Sequence, residues 1–310
     1  MKVRPIAIVL AVSFITCSMQ APAKAQSLRD RVQQRPSART ANQTTNGRSA
    51  ETRSPSQPGR RGSGIVRPFR SGTTCLFAGH SFFAPVARTF DGLAKRGDFP
   101  EHRAELIFSP GVGGSPSGLW NDTQRRNQIA AKLAKGNVSL FGMPAPSSRS
   151  DSPVQDLKYW VDLALKHNPN TTFLIGQPWP AGGPRLTESK YTRASQAATR
   201  TNFDAVEKLR RAYPNNRFIF IDYGKLATEM KSQFAARRLP DIKESVGRGP
   251  DSLFRDYFMG HAGPLMTELS AVVWLNLIYA AEVREVINTS VSPQAMAIVE
   301  TSIKHNKQFR

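Results

Sequence analysis

Cysteine is nearly absent from this chain. The 310 residues include two, Cys17 and Cys75, and Cys17 falls inside an N-terminal apolar run. Loss of that run leaves Cys75 alone, which excludes an intramolecular disulfide, and a domain this large buries enough apolar surface to do without one. Cys75 lies in a strand-like apolar stretch and reads as inert core. Membrane-length apolar runs are missing too. The N-terminal run, Ile6 to Cys17, falls short of the ~20 residues that span a bilayer, so no transmembrane segment is expected. Metal-ligand spacing is also lacking. His102, His167 and His305 are dispersed, with no His-x-x-x-His and no carboxylate cluster, so no metal site is expected. The Gly-rich run Gly111-Val112-Gly113-Gly114-Ser115 lacks the Lys-Ser/Thr of a phosphate loop. It also misses the last Gly of a dinucleotide fingerprint, and no cofactor is expected. Acid is scarce: 23 Asp and Glu stand against 43 Lys and Arg, for a formal charge of +20.

What is present begins with a leader. Lys2 and Arg4 precede the apolar run, and Ala23-Lys24-Ala25 forms an A-x-A cleavage site before Gln26, so residues 1–25 read as a secretory signal peptide. An exported protein, periplasmic or secreted, is the expectation. Cys17 as a lipid-anchored cysteine is the alternative, although Thr16 fits poorly before such a site. From 26 to 72 the composition turns to Arg, Ser, Gln, Pro and Gly, with too few large apolar side chains to offset the entropy of ordering. This stretch reads as a disordered basic tether. Its ten arginines, Arg29 to Arg70, point to an anionic polymer or envelope surface as partner, or to a plain soluble spacer. Nucleic acid is not expected, because no zinc-finger, KH or RRM signature accompanies the charge.

From Thr73 onward apolar runs alternate with helical stretches, the pattern of a parallel sheet covered on both faces. Strands are expected at Thr74–Ala78, Ala104–Phe108, Asn137–Phe141, Thr171–Gly176 and Arg217–Asp222. The intervening helices run from about Pro85 to Lys95, Asp122 to Lys135, Ser152 to His167, Glu188 to Tyr213 and Lys225 to Arg237. An irregular segment from Pro240 to Pro264 leads to an apolar helix, Leu265 to Val286, and a last helix follows Pro293. Right-handed crossovers make this one α/β domain, 73–310, three-layered, with a flavodoxin-like five-stranded parallel sheet ordered 2-1-3-4-5.

Three loops should then meet at the carboxyl edge of that sheet, where open α/β folds bind ligands. The first is the turn Gly79-His80-Ser81, which presents a hydroxyl. The second contains Gly113 and Gly114, and the third His261. A hydroxyl nucleophile needs a base to take its proton and fixed N–H donors for the oxyanion it creates. Ser81, His261 and the backbone of Ser81 and Gly114 supply those types. The turn lacks the second Gly of a Gly-x-Ser-x-Gly elbow, which argues against an ordinary α/β-hydrolase.

Leu76-Phe77-Ala78-Gly79-His80-Ser81-Phe82 resembles the first block of the SGNH (GDSL-like) hydrolases, with His80 where that family usually has Asp. Val112-Gly113-Gly114-Ser115 before Leu119-Trp120-Asn121 is similar to the second block, which carries the oxyanion-hole Gly. Leu253-Phe254-Arg255-Asp256 with Gly260-His261 looks like the last block, which holds acid and base. The resemblance implies an exported serine esterase that cleaves a carboxylic ester through an acyl-enzyme on Ser81, with His261 as base and Asp256 as acid. Carbohydrate O-acetyl groups are among the substrates this reading includes. Two departures stand out. The third block should read Gly-x-Asn-Asp, but the chain has Gly142-Met143-Pro144-Ala145, and Pro144 offers no donor. Gln177, at the next strand's end, carries an amide able to compensate. The family's Asp-x-x-His also puts Phe258 at the acid's place, so Asp256 must reach His261 through two extra residues, with Asp251 the lesser candidate. Trp120 and Trp179 flank the expected cleft and either stack on sugar rings or pack in the protein. His80 reads as structural and Asp222 as a cap. The competing reading is a non-catalytic module of the same fold that binds an anionic polymer or carbohydrate.

Overall fold

The computed structural model describes residues 69–283 and 291–310. The leader at 1–25 and all but the last four residues of the basic stretch 26–72 lie outside the described residues. At Phe69 the chain is already tied down, its N–H donating to the Ile278 carbonyl (3.1 Å).

Five parallel strands form the main sheet: β1 (Thr74–Gly79), β2 (Arg103–Phe108), β3 (Leu140–Pro144), β4 (Thr172–Gln177) and β5 (Phe218–Asp222), in the order β2-β1-β3-β4-β5. This is the expected topology. The register aligns Gly79 with Phe108, Pro144 with Gly176 and Gln177 with Asp222, so the strand ends lie along one edge. Side chains alternate between faces, as a strand's period of two requires. Cys75, Phe77, Leu140, Leu174 and Ile221 point into one core. Leu76, Ala78, Phe141, Phe173 and Phe220 point into the other.

Helices cover both cores. On the first lie α1 (Ala84–Arg96), α6 (Gly224–Ala235), α7 (Pro264–Tyr279) and α8 (Pro293–Lys307). On the second lie α2 (Pro116–Asn121), α3 (Thr123–Leu133), α4 (Pro153–His167) and most of α5 (Glu188–Ala212). The starts are chemically marked: Ser115, Asp122 and Thr187 each accept an N–H from the first turn of the helix they precede, replacing a missing intrahelical partner. Asp222 does the same for Lys225 (3.0 Å). At the opposite edge of the sheet a polar chain through buried His102, the residue before β2, joins α1 and α7. His102 bridges Asp91 (3.0 Å) and the Tyr279 hydroxyl (2.7 Å), and Cys75 lies 3.6 Å from that hydroxyl. Burial raises the Cys75 thiol to about 12, so it stays protonated.

Besides the short helix α2, three elements differ from the sequence expectation. β3 starts and ends three residues later than Asn137–Phe141. Gly142 reads as a terminator, yet it sits inside the strand because the Phe77 ring fills the space of its missing side chain: a Cβ there would lie 2.6 Å from Phe77 Cδ1. The apolar helix stops at Tyr279 rather than Val286, where Ala280 turns left-handed (φ 58°) and caps the Asn276 carbonyl. The segment Pro240–Pro264 contains a short parallel pair, β6 (Glu244–Val246) and β7 (Ser252–Phe254), which sets up the loop that follows. Among the described residues no helix is long and apolar enough to cross a membrane.

Under the carboxyl edge lies an aromatic pedestal. Phe83 packs against Trp274 (centroids 5.0 Å apart) and Phe77 (6.2 Å), and Phe90 against Phe77 (5.8 Å). Phe83 follows Ser81 by two residues and is fully buried. Phe83→Ala is expected to cost about 3–5 kcal/mol, read as a lower denaturant midpoint at unchanged slope; a cost under about 1 kcal/mol would show that the pedestal does not hold the turn.

Candidate active site

Ser81 sits at the apex of the turn between β1 and α1. Gly79 allows the sharp exit, since a Cβ there would meet Phe83 Cδ1 at 2.7 Å and Pro144 Cδ at 2.9 Å. The His80 carbonyl accepts the N–H groups of Phe83 (3.0 Å) and Ala84 (2.8 Å), and His80 Nδ1 accepts that of Phe82 (3.2 Å). The Tyr223 hydroxyl donates to the Phe82 carbonyl (3.0 Å). The turn is thus fixed on every side. The Ser81 N–H has no hydrogen-bond partner among the described residues.

His261 comes from a loop closed by β-type pairing. Phe254 and Ala262 form an antiparallel bridge, Arg255 N–H donates to the His261 carbonyl (2.8 Å), and Gly263 N–H to that of Leu253 (2.8 Å). Inside this loop Asp256 Oδ1 accepts the N–H groups of Met259 (2.6 Å) and Gly260 (3.1 Å), and Oδ2 accepts that of His261 (3.1 Å). Oδ2 also meets His261 Nδ1 at 2.5 Å, and His261 Nε2 lies 2.8 Å from Ser81 Oγ. An ionised carboxylate only accepts, so the imidazole proton belongs on Nδ1, and Nε2 is left to accept the Ser81 hydroxyl. The two additional residues of the Asp256–His261 spacing bulge outward with Tyr257, Phe258 and Met259 exposed. Asp251 lies elsewhere, 3.5 Å from Lys243 Nζ.

The connection from β4 to α5 grips the same loop from the other side. Arg185 Nη2 donates to the Phe258 carbonyl (2.9 Å), Gly182 N–H to Met259 (2.7 Å) and Trp179 Nε1 to Gly260 (2.9 Å). Three successive carbonyls are held by one connection, while the N–H groups of residues 259–261 are held by one carboxylate. Phe82 fills the space between the two, stacked on Trp179 (5.2 Å, 26°) and edge-on to His261 (5.1 Å, 82°). The sequence reading missed Phe82 and Arg185 as supports, and nothing in their local pattern marks them.

Gly114 closes the opposite rim. A Cβ there would lie 2.4 Å from the Ser109 carbonyl oxygen and 2.5 Å from His80 N, so only glycine lets this backbone come against the Ser81 turn. Gln177 is buried and its amide is engaged: Oε1 accepts from Asn202 (2.7 Å) and Nε2 donates to the Pro178 carbonyl (2.8 Å). Trp120 lies in α2, away from the cavity lining, stacked on Tyr159 (4.8 Å, 12°) with Arg126 against its ring (5.6 Å). Trp179 reaches the cavity but is 3% exposed. Neither indole offers an open face to a sugar ring. Among the described residues no group of three or more His, Cys, Asp or Glu is placed to hold a metal.

The cavity beside Ser81 measures about 710 Å³. Burial, reinforced by the nearby His261, lowers His80 to about 4, so this ring is neutral at working pH. Burial works to raise the Asp256 carboxyl, but the three N–H groups and the His261 ring outweigh it and bring it down to about 2. With its folded value below the ordinary 3.8, ionised Asp256 stabilises the loop above about pH 4, and that contribution is lost as pH falls through about 2.

The chain is thus an α/β three-layer protein with Ser, His and Asp aligned at the carboxyl edge of its sheet. No family model matches the sequence, and no curated protein does. Among solved structures it is similar to a DUF4886 family protein from Bacteroides uniformis, at 14% identity and a TM-score of 0.49, covering 75% of this chain and 94% of that one. It is also similar to the periplasmic domain of a lipopolysaccharide acetyltransferase from Salmonella ser. Paratyphi A, at 12% identity and a TM-score of 0.40, covering 68% and 84%. At such low identity the chemistry is read from the site itself.

Trp179→Phe keeps the stack on Phe82 but removes the N–H that holds Gly260. The loop that carries His261 is expected to open more readily, read as roughly tenfold faster hydrogen exchange at the His261 backbone N–H. An unchanged exchange rate would remove Trp179 from the support of His261.

Proposed function

We propose that the chain is an exported serine esterase of the SGNH type, cleaving carboxylic esters through an acyl-enzyme on Ser81. The observation that carries this reading is the continuous relay from Ser81 Oγ through His261 Nε2 (2.8 Å) and Nδ1 to Asp256 Oδ2 (2.5 Å). Ser81 Oγ attacks the ester carbonyl while His261 Nε2 takes its proton. Asp256 holds the tautomer and balances the imidazolium. The oxyanion is met by the N–H groups of Ser81 and Gly114. As the tetrahedral intermediate collapses, His261 returns the proton to the departing alcohol. Water then repeats the sequence on the acyl-enzyme and releases the acid.

Pro144 leaves this oxyanion hole without the donor that the family's Asn would supply. One lost donor typically costs about 10²- to 10³-fold in rate, so the proposal is of a slower enzyme with a two-donor hole. The binding-only alternative drew on Pro144 and on the Asp–His spacing. The relay geometry favours the enzyme instead, since His261 Nε2 lies within hydrogen-bond reach of Ser81 Oγ, whereas a ring turned away and buried would have favoured the module.

Purified protein is expected to hydrolyse p-nitrophenyl esters and to be labelled by a fluorophosphonate, and Ser81→Ala to lose both. Turnover and labelling that survive in Ser81→Ala would sink the assignment. The acid limb of the pH profile gives a second check. Asp256 is ionised above about 2 and His80 neutral above about 4, so neither of them titrates between about pH 5 and neutrality, and log kcat/KM should fall there with a slope no steeper than one. A slope near two would show a second titrating group.

A further inference from the structure

The cavity that Ser81 opens into is much larger than an acetyl group requires, and its lining restricts what else enters. Among the described residues no Asp, Glu, Lys or Arg lines it, although the chain carries a formal charge of +20. His80, on its wall, is neutral. The buried amides of Gln177 and Asn202 are bonded to each other and to the carbonyls of Pro178 and Pro146. An anionic acyl group finds no counter-charge here, and a sugar ring finds no open aromatic face, since Phe82 and Trp179 are 6% and 3% exposed.

The shape of the groove follows from α5. Ala194, Ala197, Ala198 and Thr201 recur at helical spacing and line the cavity along one face of that helix, and Pro178, Pro180 and Ala181 of the β4–α5 connection line it too. Three of these four α5 side chains end at Cβ, which leaves a trough. From Ala194 to Asn202 the face runs about 12 Å at 1.5 Å per residue. The lining also carries the hydroxyls of Ser115, Ser147 and Ser148. Val112 (73% exposed) and Met259 (44%) line the cavity from separate loops, and Tyr257 (55%) and Phe258 (69%) adjoin Met259. Exposed apolar side chains gathered at one opening mark a surface that meets apolar material.

We propose that this groove holds the aliphatic acyl chain of an amphipathic ester, with a length of about six to ten carbons set by the trough and by about 1.25 Å of reach per carbon. The inference rests on the esterase reading and goes beyond it by naming the substrate class. The carbonyl carbon sits at Ser81 Oγ, the chain lies along α5, and the alcohol leaves through the mouth. Each methylene that enters the trough is withdrawn from water in the transition state and should raise kcat/KM about fourfold.

The test is a series of p-nitrophenyl esters from acetate through dodecanoate, with wild-type protein, Ala197→Leu and Ala198→Phe. Wild-type kcat/KM is expected to climb from acetate to about octanoate and to fall beyond decanoate. Both variants are expected to lower the octanoate-to-acetate ratio by roughly tenfold or more. Ala197 is exposed and Ala198 half-buried, so the added atoms enter the groove rather than the core, and an unchanged thermal midpoint verifies this. A Ser81-dependent profile that is flat or peaks at acetate overturns the acyl-chain inference and leaves the esterase reading standing. A rising profile with unchanged ratios in both variants overturns the placement along α5. Absence of Ser81-dependent turnover on every ester overturns the esterase reading and this inference together.

Discussion

The Asp256 carboxylate gathers four donors: the N–H groups of Met259, Gly260 and His261, and the His261 ring. Each of these bonds is charge-assisted, and such bonds are about twice as strong as neutral ones. The same group therefore folds the loop and orients the imidazole within it. A His261 aimed by side-chain contacts alone would sample several rotamers. Tied through both its backbone N–H and its ring to one carboxylate, it has a single arrangement, and that arrangement ends at Ser81 Oγ.

The rest of the fold meets this loop with surfaces already fixed by packing. Gly79, Phe83 and the pedestal around Trp274 determine where Ser81 emerges. Tyr223, from the end of β5, pins the Phe82 carbonyl. Phe82 lies between the Ser81 turn and the His261 loop, in contact with the Trp179 that also holds Gly260. The relay thus depends on strands β1, β4 and β5 sharing one edge, which the parallel order 2-1-3-4-5 provides.

Much of this architecture was legible because the central strands are short apolar runs punctuated by glycine, proline or a polar residue. The misplaced β3 shows the limit of that signal. Gly142 has two possible meanings in sequence, a stop or a seat for a neighbouring ring, and only the position of Phe77 distinguishes them. Elements of three to six residues, such as β6, β7 and α2, have too few positions for a period to register. At the site, Ser81, Gly114 and His261 could be singled out by residue type and loop position, and the structure brings all three together. Asp256 was reachable only through a resemblance whose spacing it breaks, since the N–H groups that fold the loop around it leave no trace in residue identity. Trp120 and Trp179 stayed between two readings, stacking or packing, for a related reason: sequence locates an indole near a cleft but not which way its face turns.

The β4–α5 connection has two roles, as one wall of the groove and as the clasp on residues 258–260. Altering Trp179, Gly182 or Arg185 would therefore move the loop that carries His261 at the same time. The α5 face carries no such burden. Ala194, Ala197 and Ala198 line the cavity but bear no part of the relay, so one face of a single helix is free to reshape the cavity while the β4–α5 connection stays under constraint.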